Sequence, residues 1–167
     1  MNLYYDFLSS QHDLSRLDFT EIDGTDPLKV DEFAKIKARP YHQSRLSTVR
    51  VVKYEGKIVA YFAVSMFAIS VEQLDKSEKV SEATPIRYPA MLLGQLGVDK
   101  EYRKKGIAKE ICRFCFGLAQ DTGEQVACRY MVLQTNVEKT KLYEHFDFVK
   151  SPKKPENGKI WMYTKIS

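Results

Sequence analysis

The chain has 167 residues, a net charge of +4, 44% hydrophobic and 29% charged residues, and three cysteines. That length supports one domain with a sizeable core, taken here as residues 1–167, and the balance is that of a soluble globular protein rather than a disulfide-built scaffold. No apolar run approaches the ~20 residues that span a bilayer, and Met1 to Asp6 has neither a charged n-region nor an apolar h-region, so a cytoplasmic protein is expected.

A first strand is expected over Arg16 to Ile22. Asp23 to Pro27 is turn chemistry. Asp26 is placed to cap a helix whose first residue is Pro27. Leu28, Val30, Phe33, Ala34 and Ile36 continue that helix to about Arg39, where Pro40 should stop or kink it. A second short helical piece is expected over Pro40 to Ser47. Thr48 to Tyr54 and Lys57 to Ile69 are β-rich runs joined by Glu55-Gly56, a hairpin signal. Val71 to Arg87 is polar and acidic and reads as a mobile connection.

The most informative stretch follows. Met91 to Val98 is apolar on both faces and interrupted by Gly94 and Gly97, which suits a buried strand. Ile107, Ile111, Phe114, Cys115 and Leu118 recur at helical spacing, and Gly123 is expected to cap the helix end. Between strand and helix stands Arg103-Lys104-Lys105-Gly106-Ile107-Ala108-Lys109. The first N–H groups of a helix have no partner within it, and they sit at its positive end. A glycine there lets the backbone approach a phosphate. The stretch is therefore a candidate anion cradle, with a merely solvated basic turn as the plain alternative. Cys112-x-x-Cys115 lies inside the helix without a second cysteine pair, so no metal site is expected.

Tyr130 to Thr135 reads as a buried strand and Asn136 to His145 as a short helix with Asn136 at its N-cap. Phe146 to Val149 and Ile160 to Ile166 are the closing strands. The resulting order, β-α-α-β-β-β-α-β-α-β-β, is an α/β (α+β) arrangement: a mixed, mostly antiparallel sheet with helices on both faces.

Two motifs carry a family resemblance. Arg103-x-x-Gly106-x-Ala108, just after Val98-Asp99, is similar to the Q/R-x-x-G-x-G/A loop of the GNAT acetyltransferases. Asn136-x-x-Lys139-x-x-Leu142-Tyr143-x-x-Phe146-Asp147-Phe148 is similar to their N-x-x-A-x-x-L/F-Y-x-x-x-G-F. A closer resemblance is to the tRNA-acetylating toxins of that family. Leu92-Leu93-Gly94-Gln95-Leu96-Gly97-Val98-Asp99 looks like their L-L-G-R-L-A-V-D. His12-Asp13-Leu14-Ser15-x-Leu17-Asp18-Phe19 resembles their H-D-x-S-x-F-x-C start. Tyr61-Phe62-Ala63 and Ile86-Arg87-Tyr88 also have counterparts. Gln95, Lys139 and Asp147 depart from the family residues, and Ala108 replaces the commoner glycine.

The resemblance implies the GNAT fold and acetyl-CoA as cofactor. It implies Leu96, Gly97, Val98 and Arg103 to Lys109 as cofactor contacts, with Asn136 a further contact beside its capping role. The central strand, pairing with the pantetheine arm, would be bulged at Gly94 and Gly97. Backbone N–H groups near Leu96 to Val98 would meet the thioester oxygen. Tyr143 would be the acid that protonates the departing thiolate, against the plain reading of a packed aromatic. The leading acceptor is the amine of aminoacyl-tRNA; a small amine, or a protein N-terminus or lysine, and a non-catalytic RNA- or partner-binding module remain as alternatives. Lys35, Lys37, Arg39, Arg45 and Arg50 would be an RNA footprint or simply a solvated face. The remaining implied partners are a small DNA-binding antitoxin and a second copy of the chain.

Overall fold

The computed structural model describes residues 1–82 and 85–167. The elements are β1 (Leu3–Phe7), α1 (Val30–Glu32), α2 (Ala38–Gln43), β2 (Thr48–Tyr54), β3 (Lys57–Ser70), β4 (Arg87–Val98), α3 (Ile107–Gln125), β5 (Tyr130–Asn136), α4 (Thr140–Glu144), β6 (Val149–Lys150) and β7 (Lys159–Lys165). The strands follow the order β1-β2-β3-β4-β5-β7-β6 in one mixed sheet. The element order is the expected one, although some of its members lie elsewhere in the chain. Contacts divide the chain into two compact units, residues 1–65 with 93–111, and residues 66–92 with 112–167.

In the first unit the opening strand is Leu3–Phe7, antiparallel to β2 with Leu3 opposite Tyr54 and Phe7 opposite Arg50. It is not Arg16 to Ile22. That segment is a turn because its own carboxylate competes for the backbone: Asp18 Oδ1 accepts the Thr20 N–H at 2.9 Å. The first helix also begins later than expected. Asp26 does cap it, accepting the N–H groups of Asp31 (3.2 Å) and Glu32 (3.0 Å), but across a turn that ends on left-handed Lys29. The helix then runs through Pro40 to Gln43. A π-turn over Phe33–Lys37, with the Ala38 N–H bonded to the Phe33 carbonyl, immediately precedes the proline and re-registers the ladder where a donor is lost. Glu55 (φ 51) and Gly56 (φ 78) make the expected β2–β3 hairpin turn.

The core of this unit packs Phe19, Val30, Phe33, Val49, Val51 and Tyr61 together. Gly97 of β4 lies against it. A Cβ there would meet Tyr61 Cε1 at 2.7 Å, Val30 Cγ1 at 2.8 Å and Phe19 Cδ1 at 2.9 Å. Close packing explains this glycine. Gly97→Ala should therefore destabilise the fold by about 1–3 kcal/mol, the range for an overpacked core. Chemical denaturation measures it, and an unchanged midpoint would show that the aromatic pair yields freely.

In the second unit β4 pairs in parallel with β5 over Ala90–Leu92 and Tyr130–Val132, and β5 pairs with β7 along its whole length. Helix α3 runs past Gly123 to Gln125. Gly123 is not a cap but a point of close approach: a Cβ on it would stand 3.4 Å from the Cys128 carbonyl oxygen. Cys112 and Cys115 are buried in α3, and burial pushes the Cys112 thiol up to about 12. The closing strand before the last hairpin shrinks to Val149–Lys150. Phe146 to Phe148 turns instead, with Asp147 left-handed at φ 71, the conformation that glycine favours.

The connection expected to be mobile is tied down between Glu72 and Val80; Ala83 and Thr84 lie outside the described residues. The Asp75 N–H donates to the Tyr163 hydroxyl (3.0 Å) and the Val80 N–H to the Tyr88 hydroxyl (2.9 Å). Ser151 Oγ bonds Gln73 Oε1 at 2.7 Å, and Lys153 pairs with Glu72 at 2.8 Å. No helix among the described residues is long and apolar enough to cross a membrane.

Candidate active site

The strand–loop–helix stretch forms as its sequence implied. β4 ends at Val98, a single 3-10 turn covers Lys100–Tyr102, and α3 begins at Ile107. Lys104 (φ 62) and Gly106 (φ 84) are left-handed on either side of Lys105. Left- and right-handed residues in alternation turn successive backbone N–H groups toward a common anion. The first helical hydrogen bond runs from the Glu110 N–H to the Gly106 carbonyl (3.2 Å), so the N–H groups of Ile107, Ala108 and Lys109 precede the ladder. Nothing stands within 4 Å of where a Gly106 Cβ would be. Lys104, Lys105 and Lys109 are exposed around this opening, while Ile107 is buried and anchors the helix start. These residues fit a pyrophosphate.

The loop is braced from behind. The Arg103 Nε donates to the Val98 carbonyl at 3.0 Å, so part of its guanidinium serves the loop itself. Asp99 is buried, and its carboxylate accepts the N–H groups of Asp18 (2.8 Å) and Glu101 (3.3 Å). The Lys100 N–H returns a bond to the Asp18 carbonyl (3.0 Å), and Lys100 Nζ pairs with Asp18 at 3.2 Å. The Thr20 hydroxyl and N–H, and then Lys100, hold the Asp18 carboxyl down at about 2. Asp99 is thus committed to structure. The sequence reading missed this Asp18–Lys100 clasp; Asp18-x-Thr20, an Asx-turn pattern, was the available signal.

The five bases expected to form an RNA footprint are spread over the π-turn, α2, the loop after it and β2, and are largely engaged within the first unit. Lys35 pairs with Asp31 at 2.7 Å and Lys37 with Glu32 at 4.0 Å. Arg39 donates to the backbone carbonyls of Ser9 and His12, closing that loop. The Arg50 guanidinium lies 4.4 Å from the Phe7 ring centroid. Arg45 is exposed after α2.

In the second unit the Asn136 side-chain Oδ1 accepts the Lys139 N–H at 3.1 Å, the capping role expected of it. Tyr143 lies in α4, half-buried, edge-on to Phe146 (6.0 Å, 90°) and Phe148 (5.9 Å, 78°). Burial, and then the Cys112 thiol, raise its pKa above that of an ordinary phenol. It therefore keeps its proton at any working pH.

The chain is similar to several known proteins. A tRNA-acetylating toxin from Mycobacterium tuberculosis is 25% identical over 139 residues, 83% of this chain and 82% of that protein. The toxin AtaT complexed with acetyl-methionyl-tRNAfMet superposes with a TM-score of 0.81 at 15% identity, covering 98% of this chain and 95% of AtaT. A tyrosine-to-phenylalanine mutant of AtaT, bound to the C-terminus of the antitoxin AtaR and to acetyl-CoA, superposes with a TM-score of 0.74 at 14% identity over 99% of this chain and 94% of the other. The family model described as "Acetyltransferase (GNAT) domain" matches residues 45–150, and the chain belongs to the GNAT acetyltransferases.

Proposed function

We propose that the chain is an acetyl-CoA-dependent N-acetyltransferase that acetylates the amino group of aminoacyl-tRNA, working in the cytoplasm as the toxin partner of a small DNA-binding antitoxin. The carrying observation is the loop into α3: left-handed Lys104 and Gly106, open space at Gly106, and exposed Lys104, Lys105 and Lys109. The relatives supply the acceptor. The 25%-identical relative is named for tRNA acetylation, and AtaT was solved with an acetylated aminoacyl-tRNA and with acetyl-CoA and its antitoxin.

Acetyl-CoA supplies a thioester already activated for transfer. The residues of Arg103 to Lys109 hold its pyrophosphate by backbone N–H groups at a helix start and by surrounding lysines. Backbone N–H groups from Leu96 to Val98 meet the carbonyl oxygen as it gains charge. Asn136 offers a polar contact to the cofactor from the cap of the turn before α4. Tyr143 gives its hydroxyl proton to the sulfur as the carbon–sulfur bond breaks, and the amine loses its proton to water.

The test uses labelled acetyl-CoA with a charged tRNA pool, the same pool deacylated, a panel of small amines, and a peptide with a free N-terminus. Label should enter the charged pool and be absent from the deacylated one. Label in the amines or the peptide alone would overturn the acceptor, and no transfer to any of them would overturn the enzyme.

A further inference from the structure

We propose that the aromatic pair Phe67–Trp161, flanked by the lysines of the β6–β7 hairpin, is a stacking platform for the single-stranded 3′ end of the acceptor RNA; this rests on aminoacyl-tRNA being the acceptor. The rings lie 5.1 Å apart at 25°, a parallel stack. Both pack on the second unit's core, yet both remain partly exposed, unlike Tyr130 and Tyr163 within that core. Trp161 stands opposite Gln134 and Lys159 opposite Asn136 on the β5–β7 ladder. Alternate residues of a strand share a face, so Lys159 and Trp161 lie on one side with Gln134, which is exposed.

The hairpin is held beside the indole. The Ser151 N–H donates to the Trp161 carbonyl at 2.9 Å, and Ser151 Oγ bonds Gln73 at 2.7 Å. From Ser151 to Lys159 the chain carries Lys153, Lys154 and Lys159 against the single acid Glu156. Lys153 also pairs with Glu72 at 2.8 Å, but both partners are exposed, and such pairs are weak enough for a phosphate to displace. A flat ring beside a concentrated positive loop is the chemistry that binds single-stranded nucleic acid: bases stack on the ring while the cations meet the backbone. The charge favours RNA over an apolar peptide. Lys35, Lys37, Arg39 and Arg50, by contrast, are engaged within the protein.

Trp161 is the sole tryptophan, so its fluorescence reports this spot alone. A single-stranded RNA ending in CCA, the sequence that ends tRNA, should quench it saturably, and the Lys153→Ala, Lys154→Ala, Lys159→Ala triple variant should require more RNA. In steady-state kinetics Trp161→Ala should raise KM for aminoacyl-tRNA roughly tenfold, within the range for one lost base stack, with KM for acetyl-CoA unchanged. Trp161→Phe should restore most of the loss, which separates stacking from folding. Absence of quenching, with an unchanged KM for aminoacyl-tRNA in Trp161→Ala, would overturn the platform while the parent still acetylates charged tRNA. Quenching by the RNA in a parent that acetylates no charged tRNA would support the platform and overturn only the acceptor.

Discussion

Tyr143→Phe should lower turnover on the order of 10²-fold, the lower end for a lost general acid, with little change in acetyl-CoA affinity. The substitution keeps the ring and its edge-on contacts to Phe146 and Phe148 and removes only the hydroxyl. A departing thiolate needs a proton, and a phenol that stays neutral can supply it. The direction of the pKa matters here. Burial raises the Tyr143 pKa, and below a raised pKa the group is protonated, so the rate should show no limb from Tyr143 between about pH 6 and 9. Stopped-flow or discontinuous acetyl-transfer assays across that range measure both. A variant that matches the parent throughout would make Tyr143 a packing residue and hand the proton to water.

Gly106→Trp should weaken CoA binding by roughly tenfold or more, about 1.4 kcal/mol per factor of ten. Two effects add. The backbone at φ 84 disfavours any side chain, and an indole would fill the open space through which a pyrophosphate reaches the helix N–H groups. Gly56→Trp separates them. Gly56 has φ 78 and equally open surroundings, but it lies in the β2–β3 hairpin turn. It should suffer the same strain and leave CoA affinity alone. Calorimetric titration of both variants decides the matter: equal affinities in the parent and Gly106→Trp would remove the loop from the cofactor site.

The parts of this protein that were legible in its sequence are those specified by neighbours along the chain. The glycine-interrupted apolar run in β4, the 3.6-residue spacing in α3, the Glu55-Gly56 turn and the Asn136 cap each depend on a few adjacent residues. The basic loop into the start of α3 was legible for the same reason, and a helix start is positive wherever it occurs. Two of the cases that misled were segments with more than one local option. Arg16 to Ile22 has strand-like composition, but Asp18 can bond its own backbone, and Leu3–Phe7 took the edge beside β2 instead. Gly123 looked like a cap, yet the chain returns over it at Cys128.

Tertiary structure alone decided which polar groups find partners. Charge in Lys35, Lys37, Arg39 and Arg50 is visible in the sequence, but the carboxylates, carbonyls and ring that engage them are not. The connection after β3 reads as unsupported because its anchors, the hydroxyls of Tyr88 and Tyr163, come from β4 and β7, as far as 88 residues along the chain. Gly97 is required by three side chains from three separate segments, and Trp161 stacks on Phe67 across β-strands remote in sequence. The sequence by itself determined where helices and strands could form and that a basic, glycine-bearing loop would run into a helix start, because those follow from short-range geometry. Which buried surfaces meet, which charges are already neutralised and which aromatic faces stay open follow from long-range packing, where each contact is set by residues that no local pattern names.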